Sequence, residues 1–182
     1  MSDFDFFSVS DEQRALAAAH VKKAAAEAAS IPDIAPDTPL RPIRQVAVIG
    51  AGTMGGGIAM SLANMGVPVV LVDASAEGLE RGLQRVRDNY ATSVKRGKLT
   101  DADMAQRLSH ITGSLQLQEA AQADLFIEAV FEDLPLKQGI FRELDAIAKP
   151  GAILATNTSG LDVDEIAGVT KRPQDVVGAH FF

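Results

Sequence analysis

Short apolar runs alternate with longer segments of helical spacing along the chain after residue 45. The runs that predict strands are 46–50, 67–73, 110–114, 124–130, 152–157 and 175–182, and the segments that predict helices are 54–66, 75–99, 134–151 and 162–167. Mostly apolar strands separated by crossover helices are typical of a parallel sheet that is covered on both faces. We therefore predict a doubly wound α/β domain with a mostly parallel sheet.

The first part of the chain has a different pattern. Residues 11–30 are rich in strong helix formers, and they predict a helix whose face is mostly alanine and has little to bury by itself. Four prolines interrupt residues 31–44, which therefore predict an extended linker. We divide the chain into an N-terminal helix with a proline-rich linker at 1–44 and one domain at 45–182.

Three glycines follow the first predicted strand with the spacing G-x-G-x-x-G, at Gly50, Gly52 and Gly55. In a Rossmann domain the first glycine allows a tight turn, the second lets a diphosphate approach the backbone, and the third packs helix against strand. The free amides at the start of the helix then face the anion. A tight strand-to-helix turn without a ligand is the alternative, and the acid that follows argues against it.

That acid is Asp73, which ends the second predicted strand. A carboxylate about 20 residues beyond the glycine loop accepts the ribose hydroxyls of an adenosine. It also repels a 2′-phosphate, because two like charges about 4 Å apart at an effective dielectric of about 20 cost about 4 kcal/mol. We therefore expect NAD rather than NADP, although Asp73 could also cap the next helix.

Polar and ionisable side chains gather where the later predicted strands end. They are Glu132 and Lys137 with their neighbours Val130 and Phe131 after the fourth strand, Asn157, Thr158 and Ser159 after the fifth, and His180 in the sixth. Ligands of open α/β sheets bind beyond the carboxyl ends of the strands. We expect the nicotinamide end of the cofactor to lie among these residues.

The composition narrows the class of partner. The net charge of −7 argues against a nucleic-acid or anionic-membrane surface, and the absence of cysteine excludes disulfides, thiolate nucleophiles and zinc-thiolate sites. No segment is continuously apolar over the length of a membrane span. We expect a small-molecule partner, no metal, and a cytoplasmic location.

Five segments together resemble a known family. They are GAGTMGGGIA from Gly50, VD at Asp73, IEAVFEDLPLK from Ile127, ATNTSGL from Ala155, and GAHFF from Gly178. In this order and spacing they resemble the NAD-binding domain of the L-3-hydroxyacyl-CoA dehydrogenases, over residues 45–182. The N-terminal helix and linker resemble the segment that joins the enoyl-CoA hydratase/isomerase domain to the dehydrogenase in multifunctional fatty-acid oxidation proteins.

The resemblance implies a role for each matching residue. Gly50, Gly52, Thr53, Met54 and Gly55 would contact the cofactor, with Met54 beneath it, and Asp73 would hold the adenosine ribose. Glu132 and Lys137, with Val130 and Phe131, would line the nicotinamide-ribose side, and Asn157 would border the site. Ser159 would hydrogen-bond the 3-oxygen of the substrate, and His180 would be the catalytic base. Gly160 and Thr156 depart from the family, which usually has serines there.

The implied reaction is the NAD-dependent oxidation of 3-hydroxyacyl-CoA to 3-ketoacyl-CoA in fatty-acid β-oxidation. Imidazole, with an ordinary pKa of about 6.5, is suited to accept the hydroxyl proton near neutral pH. The family also uses a glutamate after the histidine and an asparagine from a helical domain, and this sequence has neither. We expect the chain to be part of a longer protein, without its C-terminal helical substrate domain and an upstream hydratase domain.

From this expectation we predict that the chain alone binds NADH but does not reduce acetoacetyl-CoA. Two other functions stay open at this point. One is a non-catalytic NAD-binding module, and the other is a dehydrogenase of another 3-hydroxy acid.

Overall fold

The computed structural model describes residues 9–28, 34–35 and 37–182, which fall into two compact units, Met1–Leu40 and Arg41–Phe182. In the first unit, helix α1 (Asp11–Ala28) has acidic residues in its first turn, and every one of its side chains is exposed. The predicted helix at 11–30 is therefore present as far as residue 28. The last two positions of that helix, and residues 31–33 and 36 of the predicted linker, lie outside the described residues.

The second unit is built on one six-stranded sheet in which every pairing is parallel. Its strands are β1 (Val46–Ile49), β2 (Val69–Val72), β3 (Ile111–Ser114), β4 (Leu125–Glu128), β5 (Ile153–Thr156) and β6 (Val176–Gly178). Their order is β3-β2-β1-β4-β5-β6, so the direction of strand addition reverses between β1 and β4. The predicted doubly wound α/β fold is confirmed.

Helices cover both faces of this sheet. They are α2 (Thr53–Asn64), α3 (Ala76–Lys95), α4 (Asp101–Ser109), α5 (Leu134–Ile147) and α6 (Val163–Ala167), with 3₁₀ turns at Leu117–Ala120 and Pro173–Asp175. Side chains that alternate along the strands pack into two apolar clusters, one against Phe141, Leu144 and Ile166 and the other against Ile58 and Ala59. Because both of their faces are buried, the four inner strands are apolar at nearly every position.

Several predicted elements extend too far, and the helix predicted at 134–151 ends at Ile147. The predicted helix at 75–99 ends at Lys95, because Gly97 adopts a left-handed φ of 68°. A separate helix, α4, then follows, which the apolar pattern did not reveal. Its start carries a capping box, in which Thr100 Oγ1 accepts from the Asp103 amide and the Asp103 carboxylate accepts from the Thr100 amide.

The last predicted strand, at 175–182, is also shorter than expected. Regular pairing ends at Gly178, opposite Thr156, because its neighbour β5 ends there. Two further hydrogen bonds continue from this edge, from the Ala179 amide to the Thr156 carbonyl (2.9 Å) and from the Phe181 amide to Asn157 Oδ1 (2.6 Å). Within the described residues, no helix combines the length and apolar character needed to cross a membrane.

Candidate functional site

The turn between β1 and α2 is possible only with glycine at two of its positions. Gly50 has a φ of +102°, and a β-carbon there would lie 2.8 Å from the Ala129 carbonyl oxygen. A β-carbon at Gly55 would overlap the Gly50 carbonyl oxygen. Gly52 differs, since a β-carbon there would meet no atom within 4 Å. The first and third glycines therefore serve packing, and the second faces open space.

Helix α2 begins at this turn with uncapped amides. Gly52 is its N-cap residue, and no side chain in the described part of the chain caps the helix there. The first bond that returns to the cap runs from the Gly56 amide to the Gly52 carbonyl oxygen, at 2.9 Å. Amides before Gly56 have no intrahelical acceptor, and together with the positive end of the helix dipole they favour an anion.

Asp73 is held beside the glycine turn by two backbone amides. Its Oδ2 accepts a hydrogen bond from the Ala51 amide (2.9 Å), and its Oδ1 accepts one from the Ser75 amide (3.0 Å). Ser75, rather than Asp73, caps α3, because Ser75 Oγ accepts from the Gly78 amide at 2.9 Å. The alternative in which Asp73 caps the helix is therefore wrong, and its carboxylate is a separate feature at the end of β2.

A cavity of about 1080 Å³ lies over the glycine turn and the carboxyl end of β2. Seven of the residues predicted to bind a cofactor line it: Gly50, Gly52, Thr53, Met54, Asp73, Val130 and Phe131. Five others lie outside its lining: Gly55, Glu132, Lys137, Asn157 and Ser159. A dinucleotide fits the first group, which offers space for a diphosphate next to free amides and a carboxylate within reach of a ribose.

The five residues outside the cavity fall into three groups: Gly55, Lys137, and the set of Glu132, Asn157 and Ser159 described below. Gly55 packs beneath the turn, against Gly50. Lys137 is 1% exposed, and its ammonium contacts the fully buried Glu128 at 2.7 Å. The same Glu128 carboxylate accepts hydrogen bonds from the Val130 amide (2.8 Å) and from Thr156 Oγ1 (2.7 Å). The buried polar atoms of this ion pair therefore all have hydrogen-bond partners among the described residues. The pair joins β4, α5 and β5.

Glu132 organises the turn that contains Ser159. Its Oε1 accepts hydrogen bonds from Thr158 Oγ1 (2.6 Å), from the Ser159 amide (2.9 Å) and from the Gly160 amide (3.2 Å). Ser159 Oγ lies 3.3 Å from the same oxygen, and Lys137 Nζ lies 3.4 Å from the other one.

The charge of Glu132 follows from these contacts. The hydrogen bond from Thr158, then those from the Ser159 and Gly160 amides and the nearby Lys137 ammonium, outweigh partial burial and lower the pKa of Glu132 to about 2. The carboxylate is therefore ionised at neutral pH, where it can accept hydrogen bonds but cannot donate a proton.

His180 lies at the same edge of the sheet, beyond β6. The amide of its neighbour Phe181 donates to Asn157 Oδ1, so the segment with His180 is tied to the loop that carries Ser159. The His180 side chain is exposed, and its ring lies 6.1 Å from that of Phe182. The structure thus brings Asn157, Ser159 and the His180 segment to one edge, next to the Glu132 turn.

Several residues that line the cavity were not predicted from the sequence. They are Ala51, Ser75, Gly78, Arg81, Gly82, Arg85, Leu115 and Gln116. The two glycines four residues apart within a helical pattern were a usable signal, because glycine inside a helix often marks a close approach of backbone. The arginines gave no signal, since charged residues on an amphipathic helix are usually solvated.

A parallel sheet with this strand order, a glycine turn before α2 and an acidic residue after β2 defines a Rossmann dinucleotide-binding domain. Residues 45–182 match the family described as 3-hydroxyacyl-CoA dehydrogenase, NAD binding domain. The chain belongs to that family, which confirms the family and the NAD cofactor expected from the sequence.

Individual relatives agree with this assignment. The chain is 47% identical over 142 residues to the peroxisomal bifunctional enzyme of Danio rerio, covering 78% of this chain and 19% of that protein. It is 43% identical over 139 residues to a probable 3-hydroxybutyryl-CoA dehydrogenase of Bacillus subtilis, covering 76% and 48%. The chain therefore spans from about a fifth to about half of the length of these curated relatives.

Solved structures show the same fold. The crystal structure of 3-hydroxybutyryl-CoA dehydrogenase from Escherichia coli K12 superimposes with a TM-score of 0.76 at 39% identity, over 78% of this chain and 30% of that one. The dehydrogenase part of multifunctional enzyme 1 from C. elegans gives 0.74 at 31% identity, over 84% and 36%.

Proposed function

We propose that this chain is the NAD-binding part of an enzyme that oxidises 3-hydroxyacyl-CoA to 3-ketoacyl-CoA in fatty-acid β-oxidation. One observation carries the proposal: the uncapped amides of α2 and the Asp73 carboxylate line one cavity at the switch point of the sheet. The family description and the name of the Bacillus subtilis relative supply the substrate class.

The cofactor would be held by the first half of the domain. The α2 amides would bind the diphosphate, and Asp73 would accept the hydroxyls of the adenosine ribose. Met54, Val130 and Phe131, which line the same cavity, would cover apolar parts of the cofactor. When bound, NAD supplies the acceptor for the hydride that leaves C3 of the substrate.

The second half of the domain would handle the proton. In this proposal His180 accepts the hydroxyl proton on an imidazole nitrogen, and Ser159 Oγ hydrogen-bonds the 3-oxygen. Glu132 orients Ser159, since it accepts hydrogen bonds from the amides of Ser159 and Gly160. Asn157 would border the nicotinamide ribose beside the His180 segment, and the buried Lys137 would act on that side only through its contact with Glu132.

The proposal extends to the organisation of the protein. Residues 1–44 would form a helix and linker that connect to an upstream hydratase domain, and residues 45–182 would form the dinucleotide domain. A C-terminal helical domain would complete the substrate site. The zero cysteine count fits a cytoplasmic protein, which needs no disulfides.

Cofactor binding can be tested on this chain directly. Titration with NADH, followed by the fluorescence of the nicotinamide, should give saturable binding. NADPH should bind about 100-fold or more weakly, because its 2′-phosphate meets the Asp73 carboxylate. An Asp73→Ala variant should bind NADH about tenfold more weakly and should discriminate less between the two. Absence of a saturable signal in the unaltered chain would refute the proposal.

The chemical role needs the protein in its full natural length. A His180→Ala variant should lose about 10²- to 10⁴-fold in kcat for acetoacetyl-CoA reduction while its NADH affinity stays unchanged. His20→Ala, on the exposed face of α1, is the matched control and should keep full activity. An unchanged kcat in the His180 variant would remove His180 as the base. NADH binding by a full-length protein without any turnover would favour a non-catalytic NAD-binding module.

A further inference from the structure

Helix α3 approaches the dinucleotide cavity with glycine at two positions of one face. Gly78 and Gly82 are four residues apart, so they share one face of the helix, and both line the cavity. On the same face one turn further, Val86 is buried, and its Cγ2 lies 3.5 Å from where a β-carbon at Gly56 of α2 would be. The first two turns of α3 therefore lie directly against β2's end and the glycine turn.

The contact at Gly78 involves the Asp73 carboxylate itself. A β-carbon at position 78 would lie 2.7 Å from Asp73 Oδ1 and 2.7 Å from Ser75 Oγ. Real β-carbons do not approach oxygen so closely, so the Asp73 carboxylate and the Ser75 hydroxyl would both have to move. Asp73 Oδ1 already accepts from the Ser75 amide while Oδ2 accepts from the Ala51 amide, and the carboxylate cannot move without lengthening one of these bonds.

The contact at Gly82 is of another kind. A β-carbon there would overlap the Ala51 carbonyl oxygen and would lie 2.7 Å from Ala51 Cβ, so the obstacle includes backbone of the turn after β1. Moving that backbone would disturb the packing of the domain, whereas a displaced Asp73 side chain would leave the packing intact. Position 78 is therefore the place where carboxylate position and fold stability can be separated.

We propose that Gly78 is a positioning residue for the ribose-binding carboxylate: because it has no side chain, Asp73 stays bonded to the Ala51 and Ser75 amides and selects an unphosphorylated ribose. The inference rests on the proposed function. Two cations strengthen it, since Arg85 and Arg81, the second of which is paired with Glu77, line the same cavity on α3. With the carboxylate displaced, these arginines would be left to attract a 2′-phosphate.

The test is a Gly78→Ala variant of this chain, titrated with NADH and with NADPH. NADH affinity should fall about tenfold or more, as expected when hydrogen bonds to a charged group are lost. NADPH affinity should stay equal or rise. The dissociation constant for NADPH divided by that for NADH should therefore fall towards one. Thermal stability should change little. Alanine is a better helix former than glycine, and this gain offsets the cost of displacing the neighbouring side chains. In the same variant, the NMR signal of the Ala51 amide should shift without any cofactor present.

Three further variants make the test decisive. Gly139→Ala in α5 is the matched control, because a β-carbon there would meet nothing within 4 Å, and it should leave both affinities unchanged. Ser75→Ala removes the α3 cap, and it should not reproduce the narrowed ratio. In an Asp73→Ala background, Gly78→Ala should have no further effect on either affinity, and this double variant also tests the inference if Gly78→Ala alone does not fold.

The outcomes separate the inference from the proposed function. If the unaltered chain does not bind NADH, both fall. If it binds NADH and Gly78→Ala keeps the same affinities and the same Ala51 signal, only the inference is overturned. An equal loss of NADH and NADPH affinity, or a full effect of Gly78→Ala in the Asp73→Ala background, would also overturn it, because Gly78 would then act through something other than the carboxylate.

Discussion

The sheet has two halves, one on either side of the switch between β1 and β4. They differ in how their polar groups are held in position. In the β1–α2–β2–α3 half, glycines let backbone and one carboxylate come close together: a β-carbon at Gly50, Gly55, Gly78 or Gly82 would meet another atom below 3 Å. In the β4–α5–β5 half, charged side chains are buried and bonded to one another, as in Glu128 with Lys137.

The difference matters for how each half fails. Where closeness depends on the absence of side chains, an added methyl group does the damage. Where it depends on paired charges in a dry environment, removal of one partner does the damage, because the other charge keeps its desolvation penalty. The first half is thus sensitive to an added methyl group, and the second is sensitive to the loss of one charged side chain.

The largest effect is expected from Lys137→Met. This change leaves the fully buried Glu128 without its counter-ion, and we expect a loss of about 3–5 kcal/mol in the free energy of unfolding, measured with urea. Lys98→Met, at an exposed lysine, is the matched control and should change stability by less than about 0.5 kcal/mol.

A double variant sharpens this prediction. Adding Glu128→Gln to Lys137→Met removes the uncompensated charge but keeps oxygen and nitrogen atoms near the Val130 amide and Thr156, so most of the lost stability should return. If the double variant were as unstable as the single one, the ion pair would not be the cause.

A smaller effect is expected from Gly55→Ala in the first half. The new β-carbon would overlap the Gly50 carbonyl oxygen, and we expect a loss of about 1–3 kcal/mol together with loss of NADH binding. Gly57→Ala, two residues along the same helix, adds the same methyl group where no atom lies within 4 Å, and it should stabilise the chain by about 0.5–1 kcal/mol. Equal behaviour of the two variants would break the contrast between the halves.

The smallest expected effect is a loss of stability at acidic pH, which arises in the second half. The pKa of Glu132 is lowered to about 2, mainly by the Thr158 hydrogen bond, and that of Asp124 is lowered to about 2, mainly by Lys149. Both are below their ordinary values of 4.5 and 3.8, so the unfolded chain binds these protons first. Their stabilisation is complete above about pH 5 and is lost as the pH falls towards 2.

This dependence can be measured by urea unfolding at several pH values between 6 and 2. Glu132→Gln should make the decline shallower, and Asp124→Asn should do so independently, since each removes one titrating group. Glu119→Gln, whose carboxylate has no ion pair among the described residues, is the control and should leave the slope as it is. A decline unaffected by either substitution would assign the acid sensitivity to other groups.

Much of the fold could be predicted because the signals are local. An apolar run such as VVLV in β2 needs burial on both faces, and a run of this kind between helices suits only a parallel sheet. The glycine turn could be predicted for the same reason, since Gly50 needs a positive φ and Gly55 must avoid the Gly50 carbonyl oxygen five residues before it. The end of the predicted 75–99 helix at Lys95 and the separate helix α4 were missed, because their signals were a left-handed Gly97 and a capping box rather than apolar spacing.

The sequence by itself determined the succession of strands and helices along the chain, apart from α4. It also determined the position of the glycine turn and the acid at the end of β2, because each depends on neighbouring residues. Only the tertiary structure decided that Lys137 lies buried between two glutamates, that Glu132 holds the Ser159 turn, and that Gly78 leaves room for Asp73. These contacts join elements distant along the chain or depend on how closely α3 packs, and packing distances of this kind are set by the assembled core rather than by any local pattern.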